Sequence, residues 1–140
     1  MEYKKFDTTW VIRLDPGDEI VSSLKAFAEK EHVFLASVSG LGAVNRAVLG
    51  LFDPQTKVYT KNTVEKNMEI VSLVGTVSTM DGETYLHLHM SVADAQAGVY
   101  GGHLNEAHVS ATAELTVTEI AGKADRAFSQ EIGLNLLKFD

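Results

Sequence analysis

The sequence predicts a single α+β domain that consists mainly of strands and contains one clear helix. Its 140 residues, of which 45% are hydrophobic, are enough to close one hydrophobic core. Most segments alternate apolar and polar residues with the period of a strand, whereas the segment from Glu19 to Glu31 has the period of a helix. We therefore expect one domain over residues 1–140.

The N-terminal part predicts a strand, a turn and then the helix. Thr8 to Leu14 alternates in polarity, and Asp15-Pro16-Gly17-Asp18 ends this strand because proline fixes φ and glycine accepts turn conformations. Either aspartate of the turn can cap the helix that follows. The apolar stripe of this helix consists of Ile20, Val21, Leu24, Phe27 and Ala28.

The central part predicts four strands, which are Val33 to Ser39, Ala47 to Phe52, Val58 to Val64 and Glu69 to Thr79. Gly40-Leu41-Gly42 separates the first two strands, and the polar third strand suits a sheet edge. The fourth strand is the most apolar, with Val71, Leu73 and Val77 on one face and Ile70 and Val74 on the other. We therefore expect helices or another subunit to cover both of its faces.

The next strand carries the candidate functional residues. It follows the hairpin signal Asp81-Gly82, and it alternates strictly from Tyr85 to Val92. His87 and His89 therefore lie on one face, about 6 to 7 Å apart at the backbone, and the apolar residues lie on the other face. Both imidazoles can reach one metal ion.

The C-terminal part predicts a loop and further alternating segments. Ala93 to Glu106 is expected to be irregular because it contains Gly98, Gly101 and Gly102, and it carries a third histidine, His103. Val109 to Ile120 alternates as another strand, and Ala127 to Phe139 is apolar around a break at Gly133.

Four sequence blocks together resemble the PPC domain, the plant and prokaryote conserved domain. They are Arg13-Leu14 with Pro16-Gly17-Asp18-Glu19-Ile20, Ser39-Gly40-Leu41-Gly42-Ala43-Val44, Glu69-Ile70-Val71-Ser72-Leu73-Val74-Gly75-Thr76, and Leu86-His87-Leu88-His89 with Gly98 and Gly101-Gly102-His103-Leu104. These blocks span roughly residues 10 to 120 and occur in the family's order.

The resemblance implies a mostly antiparallel sheet flanked by helices, assembled as a homotrimer. It also implies a link to DNA, because plants attach this domain to AT-hook segments. This chain contains no Arg-Gly-Arg-Pro hook. His87, His89 and His103 resemble the bacterial and archaeal subtype, since plant members carry other residues at these positions.

Three histidines on a strand and a neighbouring glycine-rich loop predict a site for one divalent transition metal. Neutral imidazoles suit zinc, nickel or iron, and we expect zinc first. Three ligands would leave one coordination position open. The alternative is that His87, His89 and His103 hydrogen-bond within the sheet or at a subunit contact.

Further residues are candidates for ligand binding or for a second shell around the metal. Glu69, Asp94 and Glu106 are the nearest carboxylates, and each could be a fourth ligand, a partner of a ligand or a general base. Gly101 and Gly102 belong to the loop that would line the site. Alternatively, the three carboxylates are ordinary surface charges.

Composition limits the possible partners and the location. The net charge is −7 and the chain has three arginines, which disfavours nucleic acid because phosphate binding depends on clustered lysine and arginine. The absence of cysteine excludes disulfides and thiolate ligands. There is no leader pattern and no apolar run near the ~20 residues of a membrane helix, so we expect a cytoplasmic protein without a membrane partner.

Three functions remain open from the sequence. The protein is expected to be a trimeric small-ligand or metal-binding protein that uses the histidine face. It could instead be a DNA-associated regulator, as the family resemblance implies, or a metal-dependent enzyme of unknown substrate. Covalent catalysis has no support, because no constellation of a nucleophile and a base is visible.

Overall fold

The computed structural model describes residues 1–139, which form eight strands and one helix. In chain order these elements are β1 (Glu2–Phe6), β2 (Thr9–Leu14), α1 (Ile20–Lys30), β3 (Ala36–Asp53), β4 (Val58–Met80), β5 (Glu83–Ala93), β6 (Val99–Glu119), β7 (Asp125–Ser129) and β8 (Leu134–Lys138).

The eight strands form one mostly antiparallel sheet. Seven of them lie in the order β1-β2-β6-β3-β4-β7-β8, and β5 pairs with both β4 and β6. All pairings are antiparallel except that of β4 with β7, which is parallel at Thr79 and Asp125. Because β5 joins β4 to β6, the strands β3, β4, β5 and β6 close into a ring. The expectation of a mostly antiparallel sheet is confirmed.

The hydrophobic core lies between the helix and one face of the sheet. Phe27 of α1 is fully buried and packs edge-to-face on Trp10 of β2, with ring centroids 5.2 Å apart. The helix begins after Glu19, whose carboxylate accepts hydrogen bonds from the backbone N–H groups of Val21 and Ser22. Glu19 therefore caps the helix, and the prediction that an aspartate of the preceding turn does so is wrong.

The outer face of the sheet, which is turned away from this core, has no helical cover within residues 1–139. The expectation of flanking helices is therefore wrong, since α1 is the one helix of the described chain. Part of the outer face needs no such cover, because it consists of short polar side chains that bond to one another or meet water. These are Thr9, Ser37, Ser39, Thr76, Thr116 and Thr118.

Two predicted pairs of strands are each one long strand in the structure. Gly40-Leu41-Gly42 does not end β3 but forms an irregularity in its pairing with β4 and β6. A Cβ atom at Gly42 would lie 2.4 Å from the carbonyl oxygen of Thr112, and its φ is +143°. Glycine is thus required here for close approach of two strands, and it bends the strand without breaking it.

The predicted faces of the most apolar strand are also corrected. The pairing of β4 with β5 shifts register between Ile70 and Ser72, which reverses the alternation. Ile70, Leu73 and Val77 are buried, whereas Val71 and Val74 are 58% and 51% exposed.

The exposed pair belongs to an apolar patch on the outer face. Val11 of β2 and Leu41 of β3, which are 44% and 57% exposed, line the same shallow groove as Val71 and Val74. We call Val11, Leu41, Val71 and Val74 the apolar patch. Within residues 1–139, nothing covers it.

The loop before β6 is shorter than predicted. β5 ends at Ala93 and β6 begins at Val99, so only residues 94–98 are irregular, and His103 lies within a strand. Gly101 and Gly102 lie in β6, where they permit close pairing of strands, whereas Gly98 lies in the short loop.

The C-terminal strands β7 and β8 form a hairpin that lies against the outer face of the sheet. Its base is joined to β4, where the carbonyl oxygen of Ala124 accepts a hydrogen bond from the backbone N–H of Thr79. Its tip reaches the turn between β3 and β4, where Lys57 Nζ donates to the carbonyl oxygen of Ile132 at 2.6 Å. The hairpin is therefore fixed at both ends. No helix in residues 1–139 is long and apolar enough to cross a membrane.

Candidate metal centre

Three histidine side chains meet on the outer face of the sheet. His87 and His89 project from β5, and His103 projects from β6. The ring centroids are 5.1 Å apart for His87 and His89, 5.3 Å for His87 and His103, and 5.5 Å for His89 and His103. Each ring has a nitrogen within 4.8 Å of a nitrogen of the other two.

The backbone brings the histidines together through strand pairing. His89 of β5 lies directly opposite His103 of β6, and Met90 lies opposite Gly102. A Cβ atom at Gly102 would lie 2.7 Å from the carbonyl oxygen of Gly50, so glycine lets β6 approach β3 at this point. The histidine cluster therefore depends on a close contact between backbones that a larger residue would prevent.

The donor set fits one divalent transition metal ion. Two imidazole nitrogens that each lie about 2.1 Å from one ion are at most about 4.2 Å apart, so the separation of up to 4.8 Å closes with small side-chain rotations. All three donors are neutral nitrogens, which zinc, nickel and iron accept. When bound, such an ion would supply a Lewis acid with an open position.

The surroundings keep two of the histidines neutral. The pKa of His87 is lowered mainly because neighbouring groups displace water, and further by the positive charges of Arg126, His103 and His89. Removal of water also lowers the pKa of His103, with His89 as a second cause. The neutral imidazole is the form that binds a metal, so these shifts favour binding at neutral pH.

Tyr59 of β4 and Asn105 of β6 lie beside the cluster. The Tyr59 ring is 6.1 Å from the His103 ring, and Asn105 Nδ2 donates a hydrogen bond to the Tyr59 hydroxyl oxygen at 2.7 Å. The Tyr59 O–H thus remains able to donate. Neither residue was predicted from the sequence, where the one signal is a tyrosine on a strand that follows the glycine-containing segment of β3.

Arg126 of β7 is a further candidate functional residue that was not predicted from the sequence. Its side chain is buried, its Nε donates to Ser78 Oγ at 2.9 Å, and its Nη1 donates to the carbonyl oxygen of Asn135 at 2.9 Å. Its guanidinium lies 4.7 Å from the centre of the Tyr85 ring. The signal in the sequence is an arginine two residues after the apolar Ala124, which the alternation of a strand would place on the same face.

Asp94 does not lie beside the histidines but holds together the loop between β5 and β6. Asp94 accepts hydrogen bonds from Lys66 Nζ at 2.7 Å and from the backbone N–H of Gly98 at 2.9 Å. The bond from Lys66, together with those from the backbone N–H groups of Gly98 and Gln96, lowers the pKa of Asp94 to about 2. Asp94 therefore orders the turn that joins β5 to β6.

The other two candidate carboxylates also lie away from the cluster. Glu106 bonds Arg46 Nε and His108 Nε2, each at 2.9 Å. Glu69 is exposed and pairs with Ala93 at the far end of β5 from the histidines. Among the predicted residues, only Gly101 and Gly102 adjoin the histidines, through their pairing with Ser91 and Met90.

Fold and site together define a class of protein, a sheet-rich domain with one helix and a three-histidine cluster on its outer face. The chain belongs to the family of the Plants and Prokaryotes Conserved (PCC) domain, whose family model matches residues 1–121. The family resemblance read from the sequence is confirmed.

Two solved structures are similar over nearly the whole chain. A protein from Bacteroides thetaiotaomicron, described as a "putative DNA binding protein", is 32% identical with a TM-score of 0.96, covering 99% of this chain and 96% of that one. A metal-containing protein from Archaeoglobus fulgidus is 34% identical with a TM-score of 0.88 and the same coverage.

A curated relative is much longer than this chain. The bifunctional protein GlmU of Synechococcus sp. (strain JA-3-3Ab) is 34% identical over 110 residues, which are 77% of this chain and 16% of that protein. This chain therefore corresponds to a small part of that relative.

Proposed function

We propose that the protein is a trimeric small-ligand or metal-binding protein in which His87, His89 and His103 hold one divalent transition metal ion. Among such ions, zinc is our first choice. The observation that carries this proposal is the convergence of three imidazole nitrogens within 4.8 Å. The similar protein from Archaeoglobus fulgidus, which is called metal-containing, supports it.

Association of subunits is supported by the apolar patch, and a number of three is what the family resemblance implies. Residues that are paired from strand to strand form a continuous row across the outer face. In order, they are Val11, Thr116, Ser39, Val74 and His89. The patch and the histidine cluster thus share one face and adjoin each other. Subunits that pack through the patch would remove its apolar surface from water, and the cluster would lie at the border of the contact.

Metal analysis of the protein purified without a histidine tag tests the proposal. We expect inductively coupled plasma analysis to find about one zinc ion per chain after incubation with zinc and gel filtration, given the donor set. The matched control is His108→Ala, which removes a histidine that bonds Glu106 outside the cluster and should retain the metal. A wild-type protein without stoichiometric metal would refute the proposal.

DNA binding is the second candidate, because the similar Bacteroides thetaiotaomicron protein carries that description. The net charge of −7 and the missing AT hook argue against it. We expect no DNA binding in a low-salt titration at micromolar protein, since even non-specific binders have Kd values of roughly 10⁻⁴ to 10⁻⁶ M at physiological salt. Saturable binding in this titration would favour the second candidate.

A further inference from the structure

Arg126 is a buried cation whose charge no carboxylate of residues 1–139 neutralises. Its two hydrogen bonds go to neutral oxygens of Ser78 and Asn135. The ion pairs of the described chain involve other cations. Burying a charge without an opposite charge is costly, and the Tyr85 ring beside it offsets only part of that cost. A bound anion would offset the rest.

The buried cation lies next to the histidine cluster. Tyr85, which the guanidinium contacts, stands two residues before His87 on the same face of β5, a step of about 6 to 7 Å. Ser78, which Arg126 bonds, is the partner of Tyr85 in the pairing of β4 with β5.

The positive charges of Arg126 and of a bound metal ion would together favour binding of an anion in this region. Three neutral imidazoles would leave both positive charges of a divalent ion uncompensated, and Arg126 adds a third. The guanidinium has five N–H donors, of which two are used within residues 1–139. Its planar fork matches the two oxygens of a carboxylate.

We propose that Arg126 is the anion-binding residue of the histidine site and that its ligand is a small organic carboxylate. The inference rests on the proposed function, because the histidines supply the other half of the site. A carboxylate has two oxygens, which match the fork of one guanidinium, whereas the further oxygens of a phosphate would need additional donors. Lys57, which lies in the turn between β3 and β4 and contacts the hairpin tip, does not supply these donors, because its Nζ bonds the backbone carbonyls of Glu131 and Ile132.

Nuclear magnetic resonance of the Arg126 Nε–H group tests the proposal on the full chain. Acetate, lactate and inorganic phosphate are each titrated into zinc-loaded and into metal-free protein, and the zinc content is measured first. We expect saturable shifts of the Nε–H signal with acetate and lactate, at lower concentration in the zinc-loaded protein. If neither acetate nor lactate gives a saturable shift, the proposal is overturned. It is also overturned if phosphate binds at Arg126 more tightly than either acid.

Two variants separate recognition from structure. Arg126→Lys keeps the charge but loses the fork, so we expect carboxylate binding to weaken on the order of ten- to a hundredfold while zinc content stays the same. Arg13→Lys is the matched control, because Arg13 is an exposed arginine of β2 that forms ion pairs with Glu2 and Asp15. Equal carboxylate affinity in wild type and Arg126→Lys would contradict the inference.

Failure of the metal-binding proposal and failure of the carboxylate proposal give different experimental results. If the wild-type protein takes up no zinc, the proposed metal function fails. The metal-free titration then decides the inference alone: a carboxylate-dependent shift of Arg126 supports it, and no shift overturns it.

Discussion

His89 and His103 lie directly opposite each other in the pairing of β5 with β6, and their rings are 5.5 Å apart. The spacing of these two rings is therefore set by the sheet and not by a flexible loop. The opposite face of β5 packs into the core through Leu88 and Met90. Changes on the two faces of this strand should consequently have separable effects.

We predict that His89→Ala abolishes metal uptake while the metal-free fold stays nearly as stable as wild type. The imidazole is exposed on the outer face, so its removal takes little buried surface from the protein. Metal analysis and melting curves with and without a chelator measure the two effects. A stoichiometric metal content in the variant would contradict the prediction.

Leu88→Ala should have the reverse effect. Leu88 is 2% exposed, and its truncation should cost about 2 to 5 kcal/mol through lost burial and a residual cavity. The three histidines are unchanged, so folded Leu88→Ala should still bind one metal ion. Urea denaturation of the metal-free protein measures the loss of stability.

Gly102→Ala is predicted to weaken both stability and metal binding. Its Cβ atom would lie 2.7 Å from the carbonyl oxygen of Gly50, so backbone must shift beside His103, at a cost of about 1 to 3 kcal/mol. The control is Gly101→Ala, whose nearest contact would be 3.3 Å and which should lose less. Equal effects of the two substitutions in denaturation and metal titrations would show that the close approach to Gly50 is not important.

Asp94→Asn is predicted to destabilise the fold in a pH-dependent way. The pKa of Asp94 is held at about 2, below its ordinary 3.8, so the carboxylate stabilises the folded state above pH 3.8. That contribution is lost as the pH falls from 3.8 towards 2. The melting temperature of the variant should therefore be below wild type at pH 7, and the difference should shrink in this acidic range.

Asp81→Asn serves as the control for this series. Asp81 is an exposed aspartate in the turn before β5, and its φ of +53° is one that asparagine also accepts. Its melting temperature should follow wild type across the same pH range. If the difference between Asp94→Asn and wild type does not change with pH, the stabilising role of the Asp94 carboxylate is refuted.

Leu41→Glu is predicted to dissociate the proposed trimer. It places a charge in the centre of the apolar patch, where subunit packing would have to desolvate it. Light scattering should give three times 15.2 kDa for wild type and 15.2 kDa for the variant. Val58→Glu, at a similarly exposed residue outside the patch, should leave the mass unchanged. A wild-type mass of 15.2 kDa at all concentrations would exclude the trimer.

Much of the fold could be predicted from the sequence because its signals are local. The alternation from Leu86 to Val92 identified the strand of the two histidines and their shared face. The helical stripe of Ile20, Leu24 and Phe27 identified α1, and all three residues are buried.

Other features depend on pairing between distant segments and so leave no local pattern. The register shift at Val71 reverses the faces of β4, and it is fixed by the partner strand β5. The burial of Arg126 depends on where the C-terminal hairpin docks. From the sequence alone this arginine looks like one surface charge among many, although Ser78 and Tyr85 enclose it in the folded chain.

The placement of the hairpin has a consequence for the diversity of relatives. The match to the family ends at residue 121, so it includes the three histidines and excludes β7 and β8. Arg126 belongs to this hairpin, so the proposed metal ligands lie inside the family match and the proposed anion-binding residue lies outside it. If both proposals hold, relatives that keep the three histidines but differ after residue 121 should bind the same kind of metal ion and different organic ligands.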